Sequence, residues 1–101
     1  EKKMQEIKIN QNRDFKGVWI PKEIWLNEDL SWMEKLFLVE IYSLCDNEET
    51  DVKNSHFAEV FGYSKNRSSE IITSLHKKKY IHIEHIYKKK GIIKRIIRIL
   101  P

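Results

Sequence analysis

Apolar residues in this chain recur first at helical spacing and then at strand spacing, and the change falls near residue 80. The clearest helical stretch is "SWMEKLFLVEIYSLC", residues 31–45. Ser31 followed three residues later by Glu34 is a capping box, in which each side chain satisfies an orphan backbone donor at a helix start. Behind it Met33, Leu36, Phe37, Ile41 and Leu44 fall on one ridge, and Leu38, Tyr42 and Cys45 add a second. A helix apolar on more than one side is buried on more than one side. The pattern therefore predicts the central helix of the domain here.

Two shorter helices follow. Asn54 or Ser55 caps a segment whose apolar positions are Phe57, Ala58, Val60 and Phe61, and Gly62 ends it by supplying a left-handed residue. Ser64 then caps a further helix, residues 65 to about 78, anchored inward by Ile71, Ile72 and Leu75. Helix, Gly-containing turn, helix is helix-turn-helix spacing. Upstream, "FKGVWIPKEIWLNEDL" mixes aromatic and aliphatic residues around Gly17 and Pro21, and Pro21 starts a short helix over 22–26. Between the central helix and the next, "DNEETDVKN" reads as a solvated polar loop. Its four carboxylates lack the EF-hand spacing, the central Gly and a distal Glu.

After residue 80 the period becomes two. "YIHIEHIY" places Ile81 and Ile83 on one face, "KKKG" turns the chain with Gly91 suited to positive φ, and "IIKRIIRIL" returns. The alternation slips near Ile86 and again at Ile92 and Ile93, which predicts a bulge or a local register change. The expected fold is α+β: a winged helix-turn-helix, with a three-helix core, a C-terminal two-stranded β-hairpin wing and a short N-terminal strand or helix. A chain of 101 residues is one domain, 1–101. It opens on Glu1 and stops at Pro101 just after a strand-like run, which points to a domain from a longer protein.

Charge sharpens this picture. The net charge of +4 is unevenly spread: residues 1–63 carry 8 basic and 13 acidic side chains, and residues 64–101 carry 11 basic and 2 acidic ones. Polarisation of this size costs stability through self-repulsion unless an anionic partner compensates, so a polyanion is the expected partner. No apolar run reaches the ~20 residues of a membrane span, and the polar start is unlike a secretory signal. A single Cys45, read as a small buried hydrophobe, fits a reducing cytoplasm.

"FKGVWIPKEIWLNEDLSWMEKLFLVEIYSL", "FAEVFGYSKNRSSEIITSLHKKKYI" and the basic hairpin together resemble the winged-helix domains of phage and prophage replication initiation proteins of Gram-positive bacteria. Related domains open replisome organisers and primosomal DnaD-like proteins. The resemblance implies that the second helix of the motif enters the major groove of double-stranded DNA while the wing touches backbone or minor groove. It implies replication partners too, a helicase or its loader, reached through the rest of a longer chain. Ser68 departs from it, standing where the resembled domains place Val, which implies looser packing or a different tilt at the helix start.

The candidate reading face is Ser64, Lys65, Asn66, Arg67, Ser69, Glu70 and Thr73. Arg bridges guanine O6 and N7, Asn pairs with adenine, and Ser or Thr serves several bases. Glu70 either accepts from cytosine N4, orients Arg67 or fends off non-cognate sites. Lys77 at the helix end and Lys88, Lys89, Lys90, Lys94 and Arg95 on the wing are expected to hold phosphates, which positions without specifying. Lysines at a helix C-terminus also answer its dipole. A transcriptional regulator with the same DNA chemistry, and a self-association or docking module, are the alternative readings; a homodimer is left open. The tryptophans Trp19, Trp25 and Trp32 are read as core and edge packing, with a docking or base-stacking surface as the alternative.

Catalysis, cofactors and metals find no pattern. There is no nucleophile elbow, phosphate-cradling Gly loop or organised Cys base, and three glycines leave no room for a nucleotide loop. His56, His76, His82 and His85 lack zinc spacing, and His82 and His85 should point to opposite faces of their strand.

Overall fold

In the computed structural model, which describes residues 19–101, the Ser31 hydroxyl accepts from the Glu34 amide at 3.1 Å and the Glu34 carboxylate accepts from the Ser31 amide at 2.7 Å. That closed capping box starts the second of four helices. In chain order the elements are α1 (Lys22–Trp25), α2 (Trp32–Leu44), β1 (Glu49–Thr50), α3 (Asn54–Phe61), α4 (Lys65–Lys77), β2 (Ile81–Lys88) and β3 (Gly91–Ile99). The strands form an antiparallel sheet in the order β1-β3-β2, so the chain is α+β. The expected N-terminal strand, and the part of the front segment around Gly17, lie outside the described residues. None of the described helices is long and apolar enough to cross a membrane.

The core gathers Phe37, Leu38 and Ile41 of α2, Phe57 of α3, Ile71, Ile72 and Leu75 of α4, Ile81 of β2 and Ile97 of β3. Phe37 lies at its centre, stacked at 4.8 Å on Phe57 and 4.9 Å on Phe61. Each such fully buried large side chain contributes roughly 1.5–3 kcal/mol relative to exposure. Ile24 of α1 and Leu30 of the following turn close one end. As its two apolar ridges predict, α2 has neighbours on several sides, and it also buries Glu34, Lys35 and Glu40.

Each of these polar groups is paired. The Lys35 ammonium donates to the Trp25 carbonyl at 2.6 Å and stands 4.1 Å from the Trp32 ring centre. Glu40 meets His56 Nε2 of α3 at 2.6 Å. Burial pushes the Glu34 carboxyl up, but hydrogen bonds from Ser74, the Ser31 amide and Lys78 outweigh it and hold the group below its ordinary value.

Two local expectations need correction. The polar stretch after α2 is not simply a solvated loop, because it contains β1. Asp46 and Glu49 exchange backbone hydrogen bonds of 2.9 and 3.2 Å around Asn47 and Glu48, whose φ values are 55° and 70°. Positive φ at both central residues makes a type I′ turn, whose twist suits paired strands. Glu49 and Thr50 then pair with Arg98 and Ile97. Nor does Asn54 or Ser55 cap α3. Lys53 takes the N-cap position without a side-chain bond, and the Asn54 amide oxygen instead accepts from Arg95 at 2.8 Å.

The hairpin follows its sequence signals. Ile81 to Ile86 pair with Ile99 to Lys94 in one register, while Tyr87 and Lys88 pair with Ile92 and Gly91. The register shift leaves Ile93 as the extra residue of a bulge. Gly91 holds φ 116°, as the turn requires. Burial ends early along β2: Ile81 is buried, Ile83 half-buried, and residues 84–88 are exposed. The outer half of the hairpin therefore stands clear of the helices.

Candidate nucleic-acid interface

The turn between α3 and α4 is built on Gly62, at φ 73°. Its amide and that of Tyr63 both donate to the Ala58 carbonyl, at 2.9 and 3.1 Å, which closes the end of α3. A Cβ at Gly62 would meet nothing within 4 Å. The glycine is thus required by backbone conformation, not by crowding.

Ser64 opens α4 by accepting from the Arg67 amide at 2.9 Å. Ser68, Ile71, Ile72 and Leu75 point inward and are buried. That orientation leaves Lys65, Asn66, Arg67, Ser69, Glu70, Thr73 and Lys77 exposed, together with Ser64. Ser69, Glu70, Thr73, Ser74 and Lys77 line one surface depression along the helix. The polar positions read from the sequence therefore form one continuous exposed face.

Within it Arg67 Nη1 donates to Glu70 Oε1 at 3.0 Å, one turn along the helix. Glu70 and Arg67, which the sequence reading also linked, are thus in direct contact on the exposed side of α4. At the buried side, Ser68 Oγ has no hydrogen-bond partner among the described residues. Ser68 is fully buried, so its hydroxyl is enclosed in the core face of α4 without a partner there.

The far end of α4 is tied down. The Lys79 amide donates to the His76 carbonyl at 3.0 Å and the Tyr80 amide to the Leu75 carbonyl at 3.1 Å, a Schellman closure with Lys79 at φ 70°. Lys78 donates to Glu34 Oε1 at 2.9 Å and also to the Asp29 carbonyl, and Ser74 donates to the other Glu34 oxygen. The Glu34 hydrogen bond raises the Lys78 pKa. Of the three lysines at this helix end, Lys78 thus clamps α4 to α2 and Lys77 faces solvent.

On the hairpin Lys88, Lys89, Lys90 and Lys94 are exposed, as phosphate contacts require. Arg95 differs from the expectation. Its guanidinium donates to Asn54 Oδ1 at 2.8 Å and to the Val52 carbonyl at 2.6 Å, and burial lowers its pKa. It fastens β3 to the start of α3. Arg98 on the same strand is bracketed by two carboxylates, Glu49 of β1 at 3.2 Å and Glu84 of β2. Among the described residues, exposed basic side chains therefore gather at the tip of the hairpin and along and just beyond α4.

The front segment departs from its packing reading. Trp19, Trp25 and Trp32 are between 50% and 80% exposed, as is Leu26. Trp25 and Trp32 meet edge-to-face at 4.8 Å, so those two rings make one patch. The signal was available in the sequence: Trp32 lies one residue before the inward ridge that begins at Met33. Tyr87 and Ile92 at the hairpin tip were also missed as surface features, although the slip in alternation marked their place. Among the described residues no group of three His, Cys, Asp or Glu side chains is arranged to hold a metal ion. Cys45 is half-buried, and burial raises its pKa.

No protein-family model, curated protein or solved structure matches the chain.

Proposed function

We propose that this chain is a winged-helix domain that binds double-stranded DNA, with α4 in the major groove and the β2–β3 hairpin as its wing. The observation that carries the reading is the exposed face of α4 from Lys65 to Thr73, set behind a Gly62 turn and followed by a hairpin whose tip carries Lys88, Lys89 and Lys90. Arg67 offers two donors to a guanine edge, Asn66 offers a donor and an acceptor to an adenine edge, and the wing lysines supply phosphate affinity. Together with the resemblance to phage and prophage replication initiation domains, this points to recognition of a replication origin. A transcriptional regulator would use the same chemistry.

The test is selection of bound sites from a random-sequence duplex library, followed by titration of the selected and scrambled sites at two salt concentrations. A selected site should bind tighter than its scramble, with a log–log salt slope of about 0.9 per phosphate contact. A flat salt response and no enriched site would refute the reading.

One observation favours a second reading, a protein-docking module. Trp25 and Trp32 form an exposed apolar patch at the front, with Leu26, Glu23, Glu28 and Asp29 exposed in the same segment. A replication partner docking there would leave α4 free for DNA. Sedimentation of wild type and Trp25→Ser shows whether the patch drives self-association.

A further inference from the structure

Tyr87 and Ile92 are register partners across the hairpin, so both side chains project from the same face of the sheet. They are 63% and 58% exposed. On that face the pairs run from Ile83 and Ile97, which enter the core, through His85 and Arg95, to Tyr87 and Ile92 in open solvent. Four residues of strand put the outer pair about 13 Å beyond Ile83. Isolated apolar side chains on a surface need no explanation, but this matched pair at the end of a projecting hairpin lies outside the core, with the Tyr87 ring 6.3 Å from that of the exposed His85. Its surroundings are cationic: Lys88, Lys89, Lys90, Gly91 and Ile92 border a single depression, and residues 85–97 include no acidic side chain.

We propose that the hairpin tip is a minor-groove wedge, in which Lys88, Lys89 and Lys90 hold phosphates of both strands while Ile92 and Tyr87 press between base pairs and unstack them. This rests on the DNA-binding reading and goes beyond it, because a wing that only touches phosphates needs no apolar pair. Apolar wedges of this type kink duplexes toward the major groove, most readily at the pliable TA and CA steps. The tyrosine ring adds a flat stacking surface for an exposed base. The bulge just behind the pair increases local strand twist and so re-aims the tip relative to the rest of the wing. A local opening of the duplex beside the site read by α4 would follow from binding alone, without nucleotide hydrolysis.

The experiment uses the full chain and random-sequence duplexes carrying 2-aminopurine beside a TA step, with end-labelled duplexes to report bending by energy transfer. Wild type should raise 2-aminopurine fluorescence and shorten the end-to-end distance. Tyr87→Ser/Ile92→Ser should lose both signals while keeping affinity within about threefold, because the lysines supply the salt-dependent part of binding. Thermal melting checks that this exposed double variant still folds. If wild type binds with no fluorescence rise, or the double variant keeps it, the wedge is wrong and the DNA reading stands. If wild type binds no duplex, both fall. If it binds phosphatidylserine vesicles through Tyr87 and Ile92 in place of DNA, the tip is a membrane contact and the wedge is overturned.

Discussion

Arg67 is held by Glu70, its neighbour one turn along α4, through a hydrogen bond of 3.0 Å between two exposed side chains. In water such a pair adds only about 0.2–0.5 kcal/mol to the helix, too little to be its reason for stability. Its larger effect is to aim one guanidinium edge and to subtract one charge from the exposed face of α4. Glu70→Ala should therefore tighten binding to all duplexes and narrow the gap between selected and scrambled sites. Arg67→Ala should cost about 1–3 kcal/mol at one base position only. Titration of single-base site variants checks both; equal loss at every position would make Arg67 a phosphate contact.

The clamp of Glu34 by Lys78, Ser74 and Ser31 gives stability a defined pH dependence. The folded carboxyl titrates below its ordinary value of 4.5, so its contribution is complete above that value and is lost as pH falls through the folded pKa. Lys78 is raised above 10.5, so its share is complete below that pH and fades in strong alkali. Glu34→Ala should lower stability at neutral pH by about 2 kcal/mol, removing half of the capping box and leaving the Ser74 hydroxyl unmatched, while Lys78 keeps the Asp29 carbonyl. The difference from wild type should shrink in acid, as read by denaturant melts at pH 7 and pH 3.

Ser68 offers the opposite sign. Replacing it with Ala removes a fully buried hydroxyl that has no partner among the described residues, and substitutes a better helix former. The gain should be about 1 kcal/mol, seen as a higher melting temperature with DNA affinity unchanged. A loss would mean that the hydroxyl is bonded in solution.

Glu48 and Lys79 both hold φ 70°. A side chain in that region costs about 1 kcal/mol, which glycine does not incur. Glu48→Gly and Lys79→Gly should each stabilise by up to about 1 kcal/mol, and their effects should add because the two turns share no partner. Gly62→Ala should lose a similar amount despite the empty space around it. Chemical denaturation of the single and double variants is sufficient.

Arg95 and Lys94 are adjacent on β3 but should behave differently. Arg95→Ala breaks two hydrogen bonds to α3 and its approach, and should lower stability by about 1–3 kcal/mol. Lys94→Ala should leave stability within about 0.5 kcal/mol and reduce the salt slope of DNA binding by about 0.9. A drop in slope from Arg95→Ala at full stability would restore it to the phosphate contacts.

The readable parts of this fold were those with a local signal. Ser31 with Glu34, Gly62, Ser64 and the inward triad of Ile71, Ile72 and Leu75 each act within a turn or two of chain, and each element they predict is present. The bulge was legible too, because a period of two cannot slip without an extra residue. What escaped depends on partners far apart in sequence. Glu49 becomes strand because β3 arrives beside it, and Asn54 abandons capping because Arg95, 41 residues on, takes its oxygen. Glu34 meets Lys78 across 44 residues. At the candidate site the exposure of the α4 residues followed from helix phase alone. The internal engagement of Arg95 did not, since nothing in "KKKGIIKR" separates a lysine that faces water from an arginine that is held.

The division of α4 into a buried face and a bare one has a consequence for how such a chain changes over generations. Ser68, Ile71, Ile72 and Leu75, with the Lys78 clamp, hold the helix in place. Lys65, Asn66, Arg67, Ser69, Glu70 and Thr73 hold nothing beyond one exposed ion pair. Substitutions at such surface positions usually shift stability by no more than about 0.5 kcal/mol. Descendants can therefore change all six side chains by drift, with almost no folding penalty to filter the intermediates, and under the proposed DNA reading each such change would alter the sequence preferred.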